Sequence, residues 1–232
     1  MGKRNNLGGQ SIKKNKEIRE RKLTLLQKDF LIGSLLGDGS LLKGRNHLIP
    51  SFSIHHCEKQ KDYLLWKREI MKSIISPNSK VRERLHPNGK RSFSFATVCN
   101  YELENFYNLF YYDKSKKYIT EEILMKLTPF SLAIWYMDDG STQKCNSARI
   151  ITGSSIEEVN NIINILFKKF GLKFRNTLCE SLKWKKRTRH LTLSVQDSKK
   201  LFEIIKQYVH PCMMYKIPLP VETKREAPIT IG

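Results

Sequence analysis

Acidic residues are scarce in this chain of 232 residues. It carries 22 Asp and Glu against 42 Lys and Arg, a net charge of +20. An excess of that size repels itself and opposes compaction, so a polyanionic partner is expected. Nucleic acid is the first candidate, and an anionic membrane surface is the main competitor. Long apolar runs are lacking as well. None approaches the ~18 residues of a membrane span, and residues 1–23 hold eight Lys/Arg and two Glu without the apolar segment of a secretory signal. Gly8-Gly9 and Asn5-Asn6 disfavour a helix there, so this stretch reads as a basic arm. Paired cysteine motifs are also missing. Cys57, Cys99, Cys145, Cys179 and Cys212 are odd in number, scattered and without C-x-x-C spacing, which fits free thiols in a reducing compartment. His55-His56-Cys57 makes a poor zinc site, because adjacent residues of a strand point to opposite faces.

What is present is a folded globule's composition, 40% hydrophobic and 10% aromatic, and an internal repeat with a period near 100 residues. Each half opens on an apolar helix that ends in Asp-Gly: FLIGSLLGDG reaches Asp38, and SLAIWYMDDG reaches Asp138 and Asp139. Thr24 with Gln27 makes a capping box for the first helix. Thr128 caps the second, with Pro129 at the position where proline is favoured. Alternating segments follow at 49–56, 80–86 and 91–98, then at 148–154, 172–181 and 189–196, the pattern of sheets with one wet face. Helices are expected over 59–75 and from the Ser155/Glu158 capping box to Gly171. Residues 91–110 match 189–208 position by position. Each half therefore reads α-β-β-α-β-β-α with one weakly defined strand. The expected division is an arm at 1–23, halves at 24–120 and 128–222, a linker at 121–127 and a tail at 223–232.

An aspartate at a helix C-terminus is electrostatically misplaced, at a cost of roughly 0.3–1 kcal/mol. Two at equivalent repeat positions call for a compensating cation, and hard carboxylate oxygens suit Mg²⁺. Gly33, Ser34 and Gly37 form a small-residue surface, with Ala133 expected at the matching place. Helices packed there about a pseudo-twofold bring both aspartates to one edge. Carboxylates bridging divalent ions form a centre for phosphodiester hydrolysis. Taken singly, each Asp-Gly would read as an ordinary turn.

The signatures LIGSLLGDG (31–39) and LAIWYMDDG (132–140), with MMYKIP (213–218), resemble those of single-chain, two-motif LAGLIDADG homing endonucleases. The likeness covers about residues 24–220. Trp135 and Tyr136 depart from it by replacing smaller residues, so less symmetric helix packing is expected. The resemblance implies an α+β fold: a pseudo-twofold pair of αββαββα halves, two antiparallel DNA-binding sheets, and the signature helices at the centre. It implies that Asp38 and Asp139 bind Mg²⁺ beside the backbone carbonyls of Gly37 and Asp138. Mn²⁺ would substitute, and Ca²⁺ would support binding without cleavage. The signature register selects Asp139 over Asp138, whose side chain is then structural. A basic residue belongs beside each centre: Lys117, with Lys116 as a rival, and Lys216. The two aspartate-to-lysine spacings are 79 and 77 residues.

The implied partner is double-stranded DNA of order 20 base pairs, bound by a monomer. Intron RNA is a further possibility if the chain is a maturase, and a non-catalytic DNA-binding regulator is a second alternative. Candidate DNA contacts are Lys43, Arg45, Arg82, Arg84, Lys90 and Arg91 in the first half. In the second they are Lys144, Arg149, Lys183, Lys185, Lys186, Arg187 and Arg189. These basic residues fall on strands and hairpins, including a Pro-Asn-Gly turn at 87–89, which argues against a membrane-surface helix. A bacterial cytoplasm or an organelle matrix fits the composition.

Overall fold

The computed structural model describes residues 16–44, 48–111, 116–181 and 186–218. The first half runs α1 (Leu25–Leu36), β1 (Ser40–Leu42), β2 (Ser51–Cys57), α2 (Lys61–Ile70), β3 (Arg82–Leu85), β4 (Arg91–Ala96) and α3 (Glu102–Phe110). A short α4 (Glu121–Met125) leads to the second half: α5 (Pro129–Asp139), β5 (Gly140–Thr142), β6 (Ala148–Thr152), α6 (Ile156–Phe170), β7 (Arg175–Ser181), β8 (Lys186–Thr192) and α7 (Val195–Ile205). A 3₁₀ segment follows at Pro211–Lys216. The order αββαββα therefore occurs twice. The weakly defined strand of each half is the three-residue β1 or β5 that follows the Asp-Gly.

Local chemistry starts the helices where the sequence signals them. Thr24 and Gln27 cap α1 reciprocally, Thr128 and Ser131 do the same for α5 with Pro129 in its first turn, and Ser155 and Glu158 cap α6. Gly171 ends α6 with φ at 67°, a left-handed conformation that glycine adopts without strain. Two boundaries differ from expectation. Strand β8 stops at Thr192, because the Ser194 hydroxyl accepts from the Asp197 amide and starts α7 at once. The stretch expected as a linker at 121–127 is α4 and its exit, with Ile123, Leu124 and Leu127 buried.

The sheets run β1-β2-β4-β3 and β5-β6-β8-β7, all antiparallel. One face of each packs on helices. Phe52, Ile54, Phe93 and Phe95 are buried on the helix side of the first sheet, with the Phe30 ring of α1 5.8 Å from that of Phe52. Ile150 and Leu191 lie in the second core, where Tyr136 meets Phe202 edge-on at 5.9 Å. Between the halves α1 packs on α5. A Cβ placed on Gly33 would fall 2.3 Å from the Ser131 carbonyl oxygen and 2.7 Å from the Ile134 Cβ. In the register set by Asp38 and Asp139, Gly33 matches Ile134 and Ala133 matches Ile32. The small-residue surface thus belongs to α1 alone, and α5 presents bulk to it. Further along the seam, the Thr128 hydroxyl donates to Asp29 at 3.1 Å.

Candidate active site

Both central helices end at the same edge of the molecule. Asp38 follows α1 and its side chain is 40% exposed. Asp139 is the last residue of α5 and is half-buried. Each end carries backbone carbonyls that the helix itself leaves without donors, and a lysine supplies them. The Lys117 ammonium donates to the carbonyls of Leu35, Gly37 and Gly39 at 2.9, 2.8 and 3.0 Å. The Lys216 ammonium donates to those of Met137 and, at 3.0 Å, Asp138. These lysines also answer the helix dipoles. Burial pushes both ammonium groups down from the ordinary lysine range, and the neighbouring carboxylates oppose that push. Of the two neighbouring lysines, Lys117 reaches the helix end, whereas Lys116 lies over the Tyr118 ring at 5.5 Å.

Asp138 behaves differently from its neighbour. Its carboxylate is fully buried and turned across the seam into the first half. There it receives the Lys67 ammonium at 2.6 Å, the Tyr63 hydroxyl at 3.0 Å and the Asp38 amide at 3.3 Å. Burial raises the Asp138 carboxyl and lowers the Lys67 ammonium, and each is held back by the other's charge. Lys67 in turn meets His56 Nε2 at 3.2 Å. The other ring nitrogen of His56 lies 3.5 Å from the Asp38 carboxylate. Burial first, then Lys67, push His56 down to about 2. The ring is therefore neutral, and its approach to Asp38 is a dipolar contact, not an ion pair. Ligand-capable atoms of Asp38, His56 and Asp138 all lie within 4.8 Å of one another.

The donor set suits a hard divalent cation. Asp38, Asp139 and the carbonyls of Gly37 and Asp138 are all oxygen ligands. A carbonyl that accepts from lysine keeps a second lone pair. Asp139 supplies the electrostatic test. Its carboxyl is pushed up to about 7 by burial, then by Asp38 and Asp138, with Lys117 and Lys216 only partly offsetting. Burial and the neighbouring carboxylates both disfavour the charged form of Asp139, and a divalent cation would favour it.

The basic residues divide by strand parity. Arg82 pairs with Ser94, which pairs with His55, and Arg84 pairs with Ser92, which pairs with Cys57. Both arginines thus share the face of β2 opposite to Phe52, Ile54 and His56. Arg91 has the parity of Phe93, so it projects to the other face and sits 3.3 Å from Glu83. Lys90 is exposed beside Gly89, whose φ of 75° fits the expected turn. Lys43 leans on α3, over the Tyr107 ring at 4.3 Å and 3.7 Å from Glu104. In the second sheet Arg149 pairs with Thr192, which pairs with Arg175, and the Arg149 guanidinium donates to the Ser141 hydroxyl at 2.8 Å. Arg189 pairs with Thr152 and has the parity of buried Leu191, and Lys144 is exposed in the turn after β5. Arg45, Lys183 and Lys185 lie outside the described residues. Lys186 and Arg187 lie in β8, but their side chains are outside the description too.

Residues 28–201 match the LAGLIDADG DNA endonuclease family. The chain belongs to that family. The DNA endonuclease I-ChuI of Chlamydomonas applanata is 30% identical over 213 residues, covering 84% of this chain and 95% of that protein. A RecA protein of Mycolicibacterium flavescens is 30% identical over 201 residues, 82% of this chain. The chain spans less than half of that relative's length, 46%. Among solved structures, the homing endonuclease I-WcaI bound to its DNA recognition sequence superposes with a TM-score of 0.76, at 23% identity over 95% of this chain and 96% of that one. The fold is thus the LAGLIDADG homing-endonuclease fold.

In this LAGLIDADG chain the aspartates and lysines are visible as repeated motifs, while His56 was weighed only as a zinc ligand and Tyr63 and Lys67 were not singled out. Their signal was a lysine in the apolar stripe of α2, four residues after a buried tyrosine. Arg175 was missed as well, although it stands across the ladder from Thr192 and Arg149. Parity within the expected strand 172–181, not a basic cluster, identifies it.

Proposed function

We propose that this LAGLIDADG chain is a site-specific DNA endonuclease that makes a double-strand break by Mg²⁺-dependent phosphodiester hydrolysis. The observation that carries the reading is the paired edge itself: Asp38 and Asp139 at the ends of two packed helices, with the Asp139 carboxyl pushed up to about 7 by burial and then by its acidic neighbours. Asp38 and Asp139 hold the metal, with the Gly37 and Asp138 carbonyls beside them. Bound there, Mg²⁺ supplies Lewis-acid activation of water and phosphate. The chain's own groups do the rest. Lys117 and Lys216 fix the helix ends, and so the carboxylates, and bring positive charge toward the phosphate. The Asp138 side chain is engaged elsewhere, its Oδ1 by Lys67 and Tyr63 and its Oδ2 by the Asp38 amide. Duplex DNA has an approximate twofold of its own, so two paired helix ends can address its two strands.

DNA of order 20 base pairs would lie across the polar sheet faces of one monomer. Arg82 and Arg84 meet it from one half, and Arg149 and Arg175 from the other. Lys90 and Lys144 extend the contact from turns, and phosphate contacts dominate. The five cysteines, free in this structure, suit a bacterial cytoplasm or an organelle matrix.

The test is incubation of the chain with a library of long duplexes, in Mg²⁺ and separately in Ca²⁺. Cleavage in Mg²⁺ with binding alone in Ca²⁺ is expected. Asp38→Asn and Asp139→Asn should each abolish double-strand cleavage while keeping most of the affinity. Failure to cut any duplex, with tight binding of a structured intron RNA, would replace this reading with the maturase one.

A further inference from the structure

The two helix ends are not equivalent, and the difference is built from side chains. Asp38 matches Asp139, so the counterpart of Asp138 is Gly37. A Cβ on Gly37 would fall 2.5 Å from the Asp138 Cβ and 2.8 Å from its Oδ2. The missing side chain on one helix makes room for the carboxylate of the other. The strand registers extend the comparison. Ser40 pairs with Ser53 and Ser141 with Arg149, so the counterpart of His56 is Thr152. The helix that follows, α6, turns Val159, Ile162, Ile165 and Leu166 to its core. Val159 is fully buried, and Ile163 packs on the core. One half thus holds a charged, hydrogen-bonded network where its partner holds aliphatic side chains.

That network ends on Asp38. The Asp138 carboxylate accepts the Asp38 amide, and His56 stands against the Asp38 carboxylate. In the matching places Asp139 has Gly37 and Thr152, and the buried face of α6 is aliphatic.

We infer that Lys67, Asp138, Tyr63 and His56 are positioning residues chiefly for the Asp38 centre, so that the network sets the rate of one strand's cleavage more than the other's. The inference rests on the endonuclease reading above. A buried ion pair with three directed hydrogen bonds fixes a backbone amide more tightly than aliphatic packing does, and misplacement at a reacting centre is costly in rate.

The experiment uses the full chain and a supercoiled plasmid carrying a duplex cut in the library assay, with each strand end-labelled in a parallel linear substrate. Lys67→Met, Asp138→Asn and the milder Tyr63→Phe are compared with the native chain. Nicked circles should accumulate, with one strand slowed about tenfold or more relative to the other. The strand should be the same in all three variants, and binding in Ca²⁺ should be unchanged. Lys67→Met leaves a buried charge unpaired and can unfold the chain. The double variant Lys67→Met/Asp138→Asn removes both charges, folds on neutral packing and should keep the strand bias. Equal slowing of both strands, or an unchanged strand ratio in folded variants, overturns the inference. If the native chain cuts no duplex, the endonuclease reading fails and the inference falls with it.

Discussion

Asp139 holds its proton to about pH 7 in the folded chain, whereas an unfolded aspartate releases it near pH 3.9. Between those values the folded state binds the extra proton, so stability falls as pH rises through that window and levels off above it. Asp139→Asn removes this penalty. At pH 8 its Tm should exceed that of the native chain, by about 2–4 °C for each kcal/mol regained. Ca²⁺ should raise the native Tm and leave the variant's almost unmoved, as read by thermal-shift fluorimetry. Lys117→Met strands three carbonyl contacts and should cost about 1–3 kcal/mol in a denaturant titration. At this scale the sequence disclosed whatever occurs twice. Asp38, Asp139, Lys117 and Lys216 sit in motifs that can be laid over each other. The signature register sets Asp138 apart from Asp139, but its partners escaped notice because they belong to the other half and sit in no repeated motif.

At the scale of elements, caps were the most legible feature, because a hydroxyl and the amide three residues on need no distant partner. Thr24, Thr128 and Ser155 all act where the sequence places them. Boundaries set by competition were less legible. Residues 189–196 alternate like a strand throughout, yet the Ser194 cap takes the last of them into α7. Face assignments failed where charge was read as a cluster instead of by parity, which is why Arg91 turned to Glu83 and Arg175 was overlooked. The helix seam was foreseen as small residues on both sides, and it is glycine against bulk. Gly33→Val would drive a side chain into the Ser131 carbonyl. That overpacking should destabilise the chain by about 1–3 kcal/mol or more, measured by chemical unfolding, while Gly153, whose Cβ direction is open, should accept alanine with little change.

For the whole molecule, the net charge of +20 makes DNA binding a release of counterions. Affinity in Ca²⁺ should fall steeply and linearly on a log–log plot against salt, by about 10³-fold or more between 50 and 200 mM. Substituting Arg82, Arg84, Arg149 or Arg175 should reduce the slope by about one each where the residue meets a phosphate, and an unchanged slope would remove that residue from the interface. The repeat made this architecture readable, since two copies of αββαββα leave few ways to cover both apolar sheet faces and both central helices. The sequence did not disclose how unlike the copies are. Gly33 on one helix receives Ser131 and Ile134 from the other, and Gly37 receives Asp138. Two first halves brought together would set glycine against Ile32-flanked glycine and leave a hole. Two second halves would drive Ile134 into Ile134 and bury a pair of aspartates without Lys67. The chain has therefore become a lock with its own key: its halves can be inherited, exchanged or split only as an unlike pair, and neither can revert to a self-matched dimer without rebuilding the seam.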